Sequence, residues 1–194
     1  MFNLSLIEEF ITKIRKIPGI SRKQAEKIVA WILYSKDDEI YELSNYFKKL
    51  KDNISFCSFC NIPQENNNCY ICNETSRENK LLVVENPLII EKLEKLSLFK
   101  GKYFVFKNLV KNEKSLDKFY LDLSKLLKYC KNFEEVIFGI SPTLEGEVTT
   151  NLIRKEFEKF QINSSQLAIG IPIGASIDYM DEITLKFSIK NRQK

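Results

Sequence analysis

Residues 81–106 read LLVVENPLIIEKLEKLSLFKGKYFVF, and this stretch decides the fold. Leu81 to Glu85 is a short apolar run closed by Asn86-Pro87, the mark of a strand buried on both faces. Pro87 to Leu96 spaces its apolar residues at helical intervals, and Tyr103 to Phe106 forms a second apolar run after Gly101. Two buried strands joined by a helix make a parallel pair with a crossover. Toward the C-terminus the alternation continues, with a helix predicted over 116–129, a strand over 136–140, a helix over 147–161 and a strand over 166–171. The fold class is therefore α/β, a parallel sheet flanked by helices.

Toward the N-terminus the texture changes. Ser55 to Asn79 carries four cysteines, many asparagines and no periodic apolar stripe, so it has no means of building a core of its own and something else must hold it. Before it, Leu6, Ile7, Phe10, Ile11 and Ile14 mark an amphipathic helix over 1–16 that stops at Ile17-Pro18-Gly19-Ile20. Ser21 and Gln24 then offer a capping box for a second helix with the stripe Ala25, Ile28, Val29, Ile32 and Leu33. A third helix is expected from Asp38 to about Lys51, with Ile40, Leu43, Phe47 and Leu50 facing inward.

The chain has 194 residues, 44% hydrophobic and 29% charged, with a mean hydropathy of -0.24. That composition excludes a disordered tail, a collagen-like repeat and a membrane bundle, and no apolar run approaches the ~18 residues of a bilayer span. The N-terminal stretch lacks the order of a secretory signal, so a cytoplasmic location is expected. Histidine is absent, which removes histidine-based acid/base, nucleophile and metal chemistry. The net charge of +4, with 25 lysines among 30 cations, is weak evidence for a polyanionic partner.

Three constellations carry chemistry. The first is Cys57-x2-Cys60 and Cys69-x2-Cys72, two knuckles separated by eight residues, the spacing of a tetrahedral four-cysteine zinc site. A closed shell of four thiolates makes such an ion structural. Two disulfides or four unconnected thiols are the plainer alternatives, disfavoured without a secretion signal and with so polar a loop. Cys130 lies outside the pattern and reads as a core residue. The second is the turn around Pro18 and Gly19, where a helix-hairpin-helix would point backbone N–H groups at a DNA phosphate, with Arg22, Lys23 and Lys27 adding contacts. A plain helical hairpin is the equal alternative. The third is Glu85 after the first strand, with Glu145 and Glu147 in SPTLEGE (141–147) after the third. Strand ends on one edge could gather these carboxylates; alternatively the two later acids only favour a helix N-terminus.

The strings IPGISRKQAEKI, CSFC and CYIC, LLVVENP, GKYFVF, SPTLEGEVTTNLI and GIPIGASIDYMDEITL occur in this order along essentially the whole chain. The combination resembles the RecR family of bacterial recombination mediators. The resemblance implies a helix-hairpin-helix DNA-binding region over 1–54, a four-cysteine zinc finger within 55–79, a Toprim domain over 80–175 and a C-terminal segment over 176–194. It implies one structural zinc per chain, sequence-independent DNA binding and a homo-oligomer, a dimer or a ring with the tetramer favoured. It further implies work with RecO, sometimes RecF, in loading RecA on single-stranded gaps, at the nucleoid and without a membrane. Glu85, Glu145 and Glu147 would then contact a basic partner such as RecO.

In catalytic Toprim proteins an Asp-x-Asp pair and a glutamate hold magnesium. Matching the E-G-E strings puts Ser141 and Thr143 at the aspartate positions, so the oxygen anions that magnesium needs are missing. This points to a domain without chemistry of its own. A magnesium-dependent nuclease or topoisomerase-like enzyme using Glu85, Glu145 and Glu147 is the rival reading, and a family member keeping only its partner contact is a third. The chain also departs from the family pattern. Ser21 replaces the second glycine of the hairpin, the segment 107–123 is lysine-rich and short, and Gly174-Ala175-Ser176 replaces a Gly-Gly plus acid, although Asp178 and Asp181 remain.

Overall fold

Ser21 caps the second helix as its sequence demands. Its hydroxyl accepts from Gln24 N at 3.3 Å while Gln24 Oε1 accepts from Ser21 N at 2.7 Å. The preceding turn needs Gly19, whose φ of +87° is a left-handed conformation that side chains resist. The result is a hairpin of α1 (Ser5–Ile14) and α2 (Arg22–Tyr34), followed by α3 (Asp37–Asn53). The computed structural model describes residues 4–192, so the first three residues of the helix expected over 1–16 lie outside the described part. Two units result, Met1–Ile54 and Ser55–Lys194.

The first unit buries little. Among its described residues only Ile11 and Ala25 are fully inside, and α3 has no buried residue. The inward-facing reading of α3 is thereby corrected: Leu43, Phe47 and Leu50 are 43, 60 and 61% exposed. Helical periodicity identifies an apolar face but not whether anything covers it.

The second unit takes up β1 (Ile54–Phe56) from its second residue; β1 pairs with β2 (Pro63–Glu65), and a short helix α4 (Tyr70–Asn73) follows. Then come β3 (Lys80–Val84), α5 (Pro87–Lys95), β4 (Lys102–Val105), α6 (Leu116–Cys130), β5 (Glu135–Phe138), α7 (Leu144–Lys159), β6 (Ser164–Gln166) and α8 (Glu182–Lys190). All neighbouring strands of the main sheet are parallel, in the order β4-β3-β5-β6. Successive residues of each strand face opposite layers. Leu81, Val83, Phe104 and Phe138 pack with Phe119, Leu126, Ile153 and Phe157 of α6 and α7. Leu82, Val84, Tyr103 and Val105 pack with Ile90 of α5 and with Ile62 and Ile71 of the cysteine segment. The segment without a core of its own is held by the back of the sheet.

Two expected elements differ. The last strand ends at Gln166, not Ile171, because β5 stops pairing at Phe138; Leu167 N donates to Phe138 O at 2.9 Å and the apolar run beyond it has no neighbour in the ladder. The helix expected from Glu147 begins at Leu144, because Thr143 Oγ1 accepts from Gly146 N at 3.1 Å and sets the start earlier. Gly146 is required there, since a Cβ would collide with the Ser141 carbonyl. The C-terminal segment adds α8, capped by Asp181, whose carboxylate accepts from Thr184 N at 2.9 Å. No helix among the described residues is long and apolar enough to cross a membrane.

Candidate functional site

The cysteine knuckles depend on asparagines. Asn61, Asn66 and Asn67 have φ of 59, 52 and 55°, a backbone that asparagine tolerates better than most residues. Asn66 and Asn67 turn the chain so that Asn68 N reaches Glu65 O at 3.0 Å. Asn61 follows Cys60 and lets its own N–H return to Cys57 O at 3.0 Å. The polar loop is therefore the turn machinery of the site.

These turns bring the Sγ atoms of Cys57, Cys60, Cys69 and Cys72 within 4.8 Å of one another. Cys57 and Cys72 lie 3.8 Å apart and Cys60 and Cys69 3.5 Å, and all four are free thiols, which rules out the disulfide alternative for this structure. A tetrahedron with metal–sulfur bonds of about 2.3 Å has edges of about 3.8 Å, so the four donors form a metal site. Hydrogen bonds, first from Cys60 and also from Tyr129, pull Cys72 down to about 5, while the bond to Cys72 and burial push Cys60 up. Burial resists placing negative charge on Cys60 and Cys69. A bound dication would reverse that resistance and release protons.

The site is braced on three sides. Cys60 O accepts from Val105 N at 2.9 Å, covering the end of edge strand β4. Asn61 Nδ2 donates to Val105 O at 3.0 Å and to Asp122 Oδ1 at 3.4 Å, Asp122 Oδ2 accepts from Asn108 Nδ2 at 2.7 Å, and Lys125 Nζ donates to Asn61 Oδ1 at 3.2 Å. Arg77, its side chain 8% exposed, bonds Glu94 twice, at 2.6 and 3.0 Å, and also Glu74 and Gly101 O. Tyr103 OH donates to Glu94 as well, at 2.7 Å. None of this was read from the sequence. Asp122 did leave a signal: it stands on the apolar face of α6 between Phe119 and Leu126, where an acid needs partners. Arg77 left none.

At the hairpin, Pro18, Gly19, Arg22, Lys23 and Lys27 are all exposed. Arg22 is not free. It bonds Glu8 at 2.7 Å and Glu26 at 3.1 Å, and these partners raise its pKa further. The capping box likewise occupies Ser21 N. The first-turn amides of Arg22 and Lys23 have no acceptor among the described residues, and Lys23 and Lys27 form no ion pair there.

The carboxyl edge of the sheet places Glu85 and Ser141 side by side, at the point where the strand order reverses between β3 and β5. Glu85 accepts from Ser141 Oγ at 2.5 Å and from Ser141 N at 3.2 Å. Its carboxylate latches the two loops together. Glu145 and Glu147 stand in the first turn of α7, and Glu147 Oε1 is buried with no hydrogen-bond partner. The three acids do not converge at metal-binding distance; among the described residues only the cysteines do. The lysine-rich segment is anchored too, with Val110 N donating to Thr149 Oγ1 at 2.8 Å.

A protein of Mycoplasmopsis pulmonis named recombination protein RecR is 40% identical to this chain over 187 residues, covering 96% of this chain and 97% of its own. The chain belongs to the RecR family. RecR proteins of Amoebophilus asiaticus and Cytophaga hutchinsonii are 32 and 30% identical, each covering 98% of this chain and 97 and 95% of its own. A family model described as RecR, C-terminal, matches residues 170–193, the segment around α8. The similarity to these RecR proteins runs over nearly the whole chain.

Proposed function

We propose that the protein is a DNA-binding mediator of recombinational repair without catalytic chemistry of its own. The observation that carries this reading is the end-to-end similarity to proteins named recombination protein RecR. Zinc is the ion proposed for Cys57, Cys60, Cys69 and Cys72, since four soft thiolates in a closed shell suit it and leave no open position for substrate. DNA is held at the hairpin by the first-turn amides after Gly19 and by Lys23 and Lys27, with Arg22 positioning α1 against α2. Glu85 fixes the geometry of the acidic edge, and Glu145 and Glu147 face a basic protein such as RecO, with RecF a further partner. The exposed apolar face of α3 and exposed Ile173, Ile177 and Tyr179 suit self-association into a dimer or tetrameric ring. The protein acts in the cytoplasm at the nucleoid.

The deciding experiment compares wild type with Lys23→Ala/Lys27→Ala on gapped and duplex DNA across a salt series. The substitutions are expected to weaken binding about equally for all sequences and to lower the salt slope by roughly 2, while leaving the fold intact. Unchanged slope and affinity would remove the hairpin from DNA binding. Incubation of supercoiled DNA with magnesium is expected to leave it unchanged; cleavage or relaxation would restore the enzymatic rival.

A further inference from the structure

Beside the cysteine cluster, between it and α6, lies an open groove of about 870 Å³. Phe56 and Phe59 line it, each placed directly before a cysteine ligand, and they are 55 and 64% exposed. Lys102, Lys125 and Lys128 also line it, and Lys107 Nζ sits 4.7 Å from the centre of the Phe56 ring. No carboxylate lines the groove, and none of these four lysines forms an ion pair among the described residues. We infer that this groove binds single-stranded DNA, its bases stacking on Phe56 and Phe59 and its phosphates meeting Lys107, Lys125 and Lys128. The inference rests on the reading that the protein acts on DNA and adds a second contact, remote in sequence from the hairpin.

Three physical points favour this occupant. Shielding of the cysteines does not account for the aromatic rings, because they stay more than half exposed while Ile62 and Ile71 fill the core beneath. Neutralisation of the cluster does not account for the lysines either. Four thiolates around a dication would carry two net negative charges, fewer than the four lysines gathered here, and Lys102 alone of the four donates to the cysteine segment, to Cys72 O at 3.0 Å. Lys107 lies beside the Phe56 ring, Lys125 and Lys128 line the same groove, and the rings stand on knuckles that a metal would fix rigidly. Aromatic platforms within a positive groove are the sequence-tolerant way to hold single strands, since every base has a face to stack.

The test uses the full chain and a labelled oligothymidylate at low salt, with a duplex of equal length as comparison. Phe56→Ala/Phe59→Ala is expected to lower single-strand affinity about a hundredfold, roughly tenfold per ring, with duplex affinity unchanged. Lys107→Gln/Lys128→Gln is expected to lower the single-strand salt slope by roughly 0.7 per lysine. Phe59→Trp, made together with Trp31→Phe so that it carries the one tryptophan of the chain, reads the contact directly: its fluorescence is quenched by the oligothymidylate. Absence of quenching, equal loss on single strand and duplex, or equally tight binding of a polyglutamate peptide would each overturn the inference. Should the double alanine variant lose its metal, the Phe59→Trp quenching alone decides. The two readings fail separately: Lys23→Ala/Lys27→Ala without effect on duplex overturns the hairpin assignment, and wild-type duplex binding without single-strand binding overturns only the groove.

Discussion

The cysteine finger and the acidic edge of the sheet both collect acidic side chains from loops and helix starts, yet only the first converges. Four thiols meet within 4.8 Å, whereas Glu85 is consumed by Ser141 and the acids at 145 and 147 are spent on the first turn of α7. The difference lies in how each set is assembled. A CxxC knuckle places two donors through one tight turn, so only one meeting of two rigid pairs has to be arranged. The carboxylates come from the loop after β3 and from the start of α7, and each finds a nearer hydrogen bond or helix terminus before it finds the others. A metal-binding donor set is built where local geometry leaves donors without alternatives.

Removing the shared ion should have the largest effect. Chelation, or Cys60→Ser, is expected to cost on the order of 10 kcal/mol locally, melting residues 55–79 and exposing Leu82, Val84 and Tyr103 behind them. Elemental analysis should give one zinc per chain. Hydrogen exchange should show protection lost at Val105 N, which donates to Cys60 O, while the α6 and α7 face of the sheet stays protected.

Next in size is Arg77→Ala, which leaves Glu94 without its cation and is expected to cost about 3 kcal/mol in denaturant unfolding. Arg77 first, and then Tyr103, hold Glu94 below the usual carboxylate range. The stabilisation is thus complete above the unfolded value of about 4.3 and is lost as pH falls through the lower folded value. The variant should show a flatter stability profile on the acid side, because the group that lost its partner no longer titrates with folding.

A smaller effect is expected at the acidic edge itself. Ser141→Ala removes a charge-assisted hydrogen bond to Glu85 and should cost about 1.5 kcal/mol, without change in metal content. Loss of metal in that variant would mean that the two regions are coupled.

The smallest stability effect is expected for Glu145→Gln/Glu147→Gln, within about 0.5 kcal/mol. The lost helix-dipole attraction is small, and Glu147 Oε1 gives up no hydrogen bond, since it has no partner among the described residues. Affinity for purified RecO-like protein should fall, more at low salt, while affinity for DNA holds or rises slightly. Wild-type partner affinity would end the assignment of these acids to partner contact.

The α/β alternation, the two knuckles and the capping box at Ser21 were legible in the sequence because each depends on residues a few positions apart. Helical period, strand length, CxxC spacing and an S-x-x-Q cap are short-range geometry, and nothing distant in the chain can move them. Tertiary structure alone decided what those elements do with their side chains. It tied Arg22 to Glu8, turned Glu85 toward Ser141, set Asn61 against Asp122 across sixty-one positions, and left Leu43, Phe47 and Leu50 of α3 uncovered. A side chain takes the nearest complementary group in space, and which group is nearest is settled only once the strands have chosen their neighbours.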